Sequence, residues 1–283
     1  MAHAVLVVGG TGKVGREVSR QLAEQGVPTR VSTRDPAAAS VPEGATAVAF
    51  DLTRPETWDD ALAGVDRMFL LAPEGEIDPE RALAPLIEKA ASAGVKAIVL
   101  MTAMGVETYD GPYRRTEELV AASGLRHTFL RPNWFMQNFD QGMYLDSIRN
   151  AGGLFLPAAD AKVSFVDTRD IAAMAVAALT QDGHDGKGYT VTGGRAVDHA
   201  EAVAVLSKAA GKPIAYTPVS DEDMRTALAG EGVPEPMIGL FSELFAAMRE
   251  GVTAPVSPHV AEVLGREPMT LEAYAAEHAD AWR

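Results

Sequence analysis

Glycines that recur at every third position form the strongest chemical signal near the start of the sequence. The run is Gly9-Gly10-Thr11-Gly12-Lys13-Val14-Gly15, between a short apolar stretch and an amphipathic one. Backbone N–H groups of such a loop, with the positive end of the following helix, can hold a phosphate. The first glycine permits a tight turn, the second admits a pyrophosphate, and the third lets helix and strand pack closely. A glycine-rich turn without a ligand is the alternative, but the predicted strand before it and helix after it favour a dinucleotide.

The residue order separates this loop from a nucleoside-triphosphate loop. Val14 follows Gly12-Lys13 at the position where a P-loop requires Ser or Thr. We therefore expect a dinucleotide at the loop. The loop residues predicted to contact it are Gly9, Thr11, Gly12, Lys13, Val14 and Gly15.

The end of the second predicted strand bears on the choice of cofactor. The order there is Thr33-Arg34-Asp35-Pro36. A carboxylate at this point binds the ribose 2′-hydroxyl of NAD, whereas an arginine accommodates the 2′-phosphate of NADP. Asp35 precedes a proline and is predicted to be a turn residue, which leaves Arg34, with Lys13, for the phosphate. The sequence thus favours NADP(H), with NAD and a solvated surface charge at Arg34 as the alternatives.

The elements that position these residues alternate between strand and helix. Apolar runs of strand length lie at residues 4–8, near 31, and at 47–50, 68–71, 97–101 and 128–130. Helices are predicted where Val14, Val18 and Leu22 recur up to Gly26, and from Asp78-Pro79 to about residue 94. This alternation is typical of parallel βαβ units.

The alternation of predicted strands and helices becomes irregular after residue 132. We expect the sheet to regain elements at residues 163–179 and 189–191, followed by helix and loop from about residue 197 and a last helix near residues 271–281. Residues 134–161 and the segment after 192 are predicted to form a smaller lobe over the carboxyl edge of the sheet. No loose linker separates the two parts, so we expect them to be interwoven.

Composition narrows the classes of function. The 283 residues carry 39 acidic and 25 basic side chains, a net charge of −14, which argues against nucleic acid or anionic membrane as a partner. The absence of cysteine excludes disulfides and thiolate metal sites, and the six histidines, His3 among them, show no metal-ligand spacing. We therefore expect no metal site. No stretch approaches the ~18 apolar residues of a membrane span, and the first apolar run is too short for a signal peptide. We expect a cytoplasmic protein.

Several motifs in order along the sequence resemble one family. The chain is similar to the atypical short-chain dehydrogenase/reductases of the NmrA-like, quinone-oxidoreductase type. Besides the glycine loop, the motifs are Thr33-Arg34-Asp35-Pro36, Phe50-Asp51-Leu52-Thr53, Phe69-Leu70-Leu71-Ala72-Pro73, Leu130-Arg131-Pro132-Asn133-Trp134-Phe135-Met136-Gln137-Asn138-Phe139 and Phe165-Val166-Asp167-Thr168-Arg169-Asp170-Ile171-Ala172.

The resemblance implies a fold and a cofactor. The fold class is α/β, a Rossmann-like doubly wound parallel sheet with a smaller α+β carboxyl-terminal substrate lobe. The NADP(H)-binding domain would span residues 1–133 and about 162–192, and the lobe residues 134–161 and 193–283. By the same resemblance, Asp51 and Leu52 border the adenine, Leu71 and Ala72 the adenosine ribose, and Pro132, Asn133 and Trp134 the nicotinamide. Taken alone, Asp51 is equally a loop cap and Leu71 equally a core residue.

The catalytic residues are where this sequence departs from the family. Short-chain reductases usually use Ser, Tyr and Lys, with the last two spaced Y-x-x-x-K on one helical face. Here the spacing joins Tyr109 to Tyr113, so the lysine is absent, and Thr102 is the hydroxyl near the serine position. The candidate catalytic residues are Tyr113 and Thr102, with packing roles as the alternative for both. The intervening Gly111-Pro112 argues against one regular helix through both tyrosines.

Aromatic residues follow the sixth predicted strand. Trp134, Phe135, Met136 and Phe139 are expected to face a cleft at the carboxyl edge, where α/β proteins bind ligands. The predicted substrate contacts are Trp134, Phe135 and Asn138. Anchoring of the small lobe by the aromatic residues is an equal alternative.

The predicted function is reduction of a quinone or ketone by NADPH. A ketoreductase that acts on an aromatic polyketide-type substrate is one form of it, because such substrates carry an acidic hydroxyl of their own. The partner would be a small aromatic or quinoid molecule. The alternative is a non-catalytic regulatory protein that senses NADP(H). The sequence does not predict the oligomeric state.

Overall fold

The chain divides into two compact units. The computed structural model describes residues 4–73 and 75–283, so His3 and the first three residues of the predicted cofactor domain lie outside the described residues. The first unit contains residues 1–132, 168–191 and 262–265, and the second contains 133–167, 192–261 and 266–283. The predicted domain limits differ from these units at residue 133, at about 162–167, at 192 and at 262–265.

The elements are numbered in chain order. The strands are β1 (Ala4–Val7), β2 (Thr29–Thr33), β3 (Ala45–Ala49), β4 (Val65–Leu71), β5 (Ala97–Met101), β6 (Arg126–Pro132), β7 (Gly153–Leu156), β8 (Lys187–Val191) and β9 (Ala215–Pro218). The helices are α1 (Lys13–Glu24), α2 (Trp58–Leu62), α3 (Pro79–Ser92), α4 (Pro112–Ala122), α5 (Met143–Ala151), α6 (Thr168–Thr180), α7 (His199–Ala210), α8 (Asp221–Gly230), α9 (Glu235–Arg249), α10 (His259–Leu264) and α11 (Leu271–His278).

The first unit is built on a parallel sheet in the order β3-β2-β1-β4-β5-β6-β8. Every neighbouring pair in it is parallel. The strand order reverses between β1 and β4, and the crevice outside the carboxyl ends at such a reversal is where open α/β sheets bind ligands. The predicted parallel α/β sheet is confirmed, and the glycine loop leaves it at this reversal.

Local sequence signals explain the helices that flank this sheet. In α1 the residues Val14, Val18 and Leu22 are buried, as their spacing predicts, and Gly26 ends the segment with a φ of +71°. Helix α3 begins after Asp78, whose Oδ1 accepts a hydrogen bond from the Arg81 N–H at 3.3 Å. Both predicted helices are confirmed, because capping and apolar periodicity are local properties of the chain.

The prediction of a sheet element over residues 163–179 is wrong for most of that segment. Residues 168–180 form helix α6, and strand-like pairing is limited to isolated bridges at Val163 and Val166. The stretch from Ile171 to Leu179 is apolar throughout and rich in alanine. A short apolar run does not reveal its period, and alanine favours the helix.

The second unit has its own core and a small sheet. Strands β7 and β9 pair in parallel. Neither strand was predicted from the sequence. Met136 and Phe139 are 2% and 0% exposed and pack in this core. The expectation that they face a cleft is wrong, and the alternative, anchoring of the lobe, holds for these two residues.

Residues 4–73 and 75–283 contain no group of three or more His, Cys, Asp or Glu side chains that could hold a metal ion. In the same part of the chain, no helix has the length and apolar character needed to cross a bilayer.

Candidate active site

The glycine loop is held by two hydrogen bonds of the backbone at Gly9. The Gly9 N–H donates to Ser32 Oγ at 3.0 Å, and the Gly9 carbonyl accepts from the Gly12 N–H at 3.0 Å. Gly9 has a φ of +70°, in the left-handed region that favours glycine. The chain therefore turns out of the sheet at Gly9 and returns to start α1.

Two other glycines are required by packing within the protein. A Cβ on Gly15 would lie 2.2 Å from the Gly9 carbonyl oxygen, and one on Gly10 would lie 2.5 Å from Val31 Cγ1 and 3.0 Å from the Val7 carbonyl oxygen. The close helix–strand packing predicted at Gly15 agrees with this geometry. The need for glycine at position 10 was missed, although the pair Gly9-Gly10 was a visible signal.

Packing within the protein does not require glycine at position 12 as it does at positions 10 and 15. Its φ and ψ of −77° and 177° suit any residue, and among the described residues a Cβ there would approach only the Gly9 carbonyl oxygen, at 3.3 Å. Helix α1 begins here without a side-chain cap and without an acidic residue in its first turn. A pyrophosphate binds where a helix start has no side chain or carboxylate in the way, so the loop fits a dinucleotide.

The other loop residues differ in exposure. Thr11 is exposed, Lys13 is half-buried, and Val14 and Gly15 are buried. Since the Val14 side chain belongs to the core, contact from Val14 or Gly15 to a ligand would be through the backbone N–H. The first four N–H groups of a helix have no acceptor within it.

Arg34 lies on the surface just beyond β2. It is exposed, and its positive charge acts on the Asp51 carboxylate. The neighbouring Asp35 is engaged: its Oδ1 accepts hydrogen bonds from the N–H groups of Ala37 and Ala38, at 3.1 and 3.2 Å. The prediction that Asp35 is a turn residue is confirmed, and the role of Arg34, with Lys13, at a phosphate stays a prediction.

Asp51 and Leu71 lie at the ends of two further strands. Asp51 Oδ1 accepts hydrogen bonds from the Thr53 hydroxyl at 2.8 Å and the Thr53 N–H at 2.9 Å. These two bonds, together with the positive charge of Arg34, hold the pKa of Asp51 below its usual value. Leu71 lies against Gly9, with Cδ1 3.0 Å from the position of a Gly9 Cβ. Leu52 and Ala72 are half-buried and pack on the core of the first unit.

Tyr113 lies in the first turn of α4 and is half-buried. Burial raises its pKa above the ordinary tyrosine value, and Tyr109 and Glu76 raise it further. Tyr109 precedes the helix in extended backbone, with its ring Cε2 2.2 Å from the position of a Gly111 Cβ. The expectation that the two tyrosines do not share one helix is confirmed.

Thr102 follows β5 and hydrogen-bonds to the carboxylate of an ion pair between Glu117 and Arg131, which was not predicted from the sequence. Its hydroxyl donates to Glu117 Oε1 at 2.8 Å, and Arg131 donates to the same carboxylate from Nε at 2.9 Å and Nη2 at 2.6 Å. Glu117 is 1% exposed and Thr102 is 6% exposed. The bond to Glu117 raises the pKa of Arg131. The Thr102 proton is therefore engaged by a buried carboxylate.

The remaining predicted residues divide between the two units. Pro132 ends β6, and its carbonyl oxygen accepts from the Met104 N–H at 3.0 Å. Asn133 belongs to the second unit, where its Nδ2 donates to Ser164 Oγ at 2.7 Å and to the Thr253 carbonyl oxygen at 2.8 Å. Its Oδ1 accepts the Trp134 N–H at 2.9 Å, so the whole amide is engaged.

The predicted substrate residues are all in the second unit. The Trp134 ring packs against Phe245, with ring centroids 5.3 Å apart. Phe135 forms a bridge with Val166. Trp134, Phe135 and Asn138 are half-buried, so each keeps part of its surface exposed.

The sheet order and the glycine loop define a Rossmann-type protein with a dinucleotide loop. The chain belongs to the NmrA-like family, whose sequence profile matches residues 1–275. The resemblance drawn from the motifs is thereby confirmed, as is the Rossmann-like fold class.

Two curated relatives match nearly the whole chain. One is the NAD(P)H azoreductase of Xenophilus azovorans, 39% identical over 286 residues, which are 98% of this chain and 99% of the relative. The other is the (4-alkanoyl-5-oxo-2,5-dihydrofuran-3-yl)methyl phosphate reductase of Streptomyces griseus subsp. griseus, 38% identical over 286 residues, with the same two shares.

A similar solved structure is that of the Escherichia coli NADPH-dependent quinone oxidoreductase QOR2, complexed with NADPH. It superposes with a TM-score of 0.82 at 25% identity and covers 97% of this chain and 99% of its own.

Proposed function

We propose that this protein transfers hydride from NADPH to an electron-poor conjugated acceptor, a quinone or an azo compound. The observation that carries the proposal is the environment of Tyr113, whose pKa is raised by burial, Tyr109 and Glu76. The lysine that would lower a tyrosine pKa in short-chain reductases is absent from position 113. A suitable acceptor is therefore one that needs little acid catalysis from the protein.

The chain is an NAD(P)H-dependent oxidoreductase. Its relatives at 39% and 38% identity are named as reductases, one of them as an NAD(P)H azoreductase. The similar quinone oxidoreductase structure contains NADPH. Arg34 supports NADPH over NADH, because it is an exposed cation at the end of β2, where an arginine accommodates a 2′-phosphate.

Bound NADPH supplies the hydride. The backbone N–H groups at the start of α1 would hold its pyrophosphate, and Arg34 its 2′-phosphate. Leu71 and Ala72 would border the adenosine ribose, Asp51 and Leu52 the adenine, and Pro132 with the Asn133 backbone the nicotinamide. Trp134, Phe135 and Asn138 remain the proposed substrate contacts. Thr102 is not proposed as the proton donor, since its hydroxyl donates to Glu117.

The class of acceptor is inferred from where the substrate carries the negative charge after hydride transfer. Hydride transfer to an isolated ketone leaves a localised alkoxide that needs a proton in the transition state, and general acid help there is worth about 10²–10⁴-fold. In a quinone or an azo compound the charge spreads over the conjugated system, so the proton can come later from water. A ketone with its own acidic hydroxyl, as in aromatic polyketides, is the ketoreductase form of the same proposal.

The test combines a substrate panel with one substitution. NADPH oxidation is measured with a naphthoquinone, an azo dye, a ketone with a neighbouring phenolic hydroxyl, and the same ketone without it. We expect turnover with the first two and the poorest turnover with the last. Tyr113→Phe should lower quinone turnover by less than about tenfold, because the reaction does not depend on its proton. Tyr109→Phe, which changes the exposed neighbouring tyrosine, is the matched control.

Three results would contradict the proposal. One is faster reduction of the isolated ketone than of the quinone and azo dye. Another is a loss of 100-fold or more in Tyr113→Phe with NADPH affinity and thermal stability unchanged, which would make Tyr113 the general acid. The third is tight NADPH binding with no turnover on any acceptor, which would favour the NADP(H) sensor instead.

A further inference from the structure

Ser32 is a buried hydroxyl at the carboxyl end of β2 that the proposed function leaves without a role. It is 5% exposed, and its Oγ accepts the Gly9 N–H at 3.0 Å. Strand β2 lies beside β1, from which the glycine loop emerges. The bond thus joins the loop to the strand that leads to Arg34.

The bond stands where the hydrogen-bond ladder between β1 and β2 would otherwise continue. In a parallel ladder, donors on one strand are two residues apart. The Val5 N–H donates to the Pro28 carbonyl oxygen at 2.9 Å, and Val7 with Val31 is the last register pair. The next donor in the series is Gly9, and it meets the side chain of Ser32. The hydroxyl therefore accepts the N–H of a residue that is leaving the sheet.

Gly9 in turn fixes the rest of the loop. Its carbonyl oxygen accepts the Gly12 N–H and lies against Gly15, where a Cβ would be only 2.2 Å away. We propose that Ser32 is a positioning residue for the dinucleotide, because its hydroxyl holds Gly9 in the conformation that presents the start of α1 to the pyrophosphate. This inference rests on the proposed function, which supplies the dinucleotide.

Loss of the hydroxyl has a specific consequence for binding. Without it the Gly9 N–H has no acceptor among the described residues in the present conformation, and the loop spends more time in other conformations. The apparent Kd rises by the factor by which the binding-competent population falls. Since the pyrophosphate is common to NADPH and NADH, both cofactors lose the same factor. This separates Ser32 from Arg34, whose loss affects NADPH alone.

The experiment compares Ser32→Ala with Thr29→Val. Thr29 is a buried residue at the other end of β2, with its hydroxyl donated to the Val27 carbonyl oxygen at 2.8 Å, so each variant removes one buried hydroxyl from the same strand. Dissociation constants for NADPH and NADH are measured by cofactor fluorescence. We expect Ser32→Ala to raise both by roughly 5- to 20-fold, the order of one lost hydrogen bond, with their ratio unchanged. Thr29→Val should change neither by more than about twofold.

A second measurement compares the wild-type protein with Ser32→Ala, both without cofactor. Amide hydrogen exchange should show the Gly9 N–H protected, and Ser32→Ala should lose that protection. Unprotected Gly9 in the wild type, or Ser32→Ala binding both cofactors as tightly as wild type, overturns the inference alone. A wild-type protein that binds neither cofactor overturns the proposed function and this inference together.

Discussion

Helix α7 begins with a capping box, whereas helix α1 begins with a bare glycine. At α7, Asp198 Oδ1 accepts the Glu201 N–H at 2.8 Å, and the Glu201 carboxylate accepts the Asp198 N–H at 3.1 Å. At α1, Gly12 offers no side chain and no acidic residue follows in the first turn. The start of α7 is stabilised by its own side chains, whereas the start of α1 has no capping side chain and no acidic residue to compete with an anion at its positive end.

The difference shows how a ligand site is recognised in the absence of the ligand. A capped helix start stabilises the fold, and a bound anion there would meet the carboxylates already present. A glycine at the N-cap gives up only about 0.3 kcal/mol relative to a capping side chain, and a bound anion offsets this small loss. The contrast between α1 and α7 is therefore between a helix start used for binding and one used for stability.

The largest expected effect comes from closing the start of α1. Gly12→Val should abolish NADPH binding, raising the Kd by more than about 100-fold, because a branched side chain would occupy the approach of the pyrophosphate. The fold should be kept, since the φ and ψ of Gly12 suit valine. Binding is measured by cofactor fluorescence and folding by thermal unfolding. Gly239→Val is the control, because in the described part of the chain no atom other than its chain neighbours and its own helix backbone lies within 4 Å of a Cβ there. Tight NADPH binding by folded Gly12→Val would remove the loop from its assigned role.

A smaller effect is expected at the end of β2. Arg34→Ala removes a charge-assisted contact to the 2′-phosphate, worth roughly 1.5–3 kcal/mol, so NADPH binding should weaken by about 10- to 150-fold. NADH binding should change little, and titration with both cofactors measures the difference. Arg54→Ala, which removes another surface arginine of the first unit, is the control. Equal losses for the two cofactors would show that Arg34 does not select NADPH.

The smallest effect is expected at α7. Asp198→Ala should lower the free energy of unfolding by about 1 kcal/mol, because the helix loses its cap. Asp198→Asn keeps an acceptor for the Glu201 N–H but loses the ion pair with Lys162, so it separates capping from charge. Chemical denaturation measures both variants, and NADPH affinity should be unchanged in both. If Asp198→Ala weakened NADPH binding as strongly as Gly12→Val, the contrast between the two helix starts would not stand.

Several features were determined by the sequence itself. The glycine loop, the capped start of α3, the helix stop at Gly26 and the separation of Tyr109 from the α4 helix all rest on steric and hydrogen-bonding rules that act within a few residues. The alternation of apolar runs predicted parallel βαβ units, because a strand covered on both faces is apolar along its whole length. The alanine-rich stretch of α6 is apolar at every position and shows no helical periodicity, so it was wrongly predicted as part of the sheet.

The tertiary structure decided which distant residues meet. Thr102, Glu117 and Arg131 come together because β5 and β6 are paired neighbours and α4 lies between them in sequence. Ser32 reaches Gly9 because β1 and β2 pair in one register, in which a shift of a single residue would turn the hydroxyl to the other face. The sequence places each of these groups at the end of an element. Only strand order and register determine their partners, since these depend on contacts between residues that are far apart in the chain.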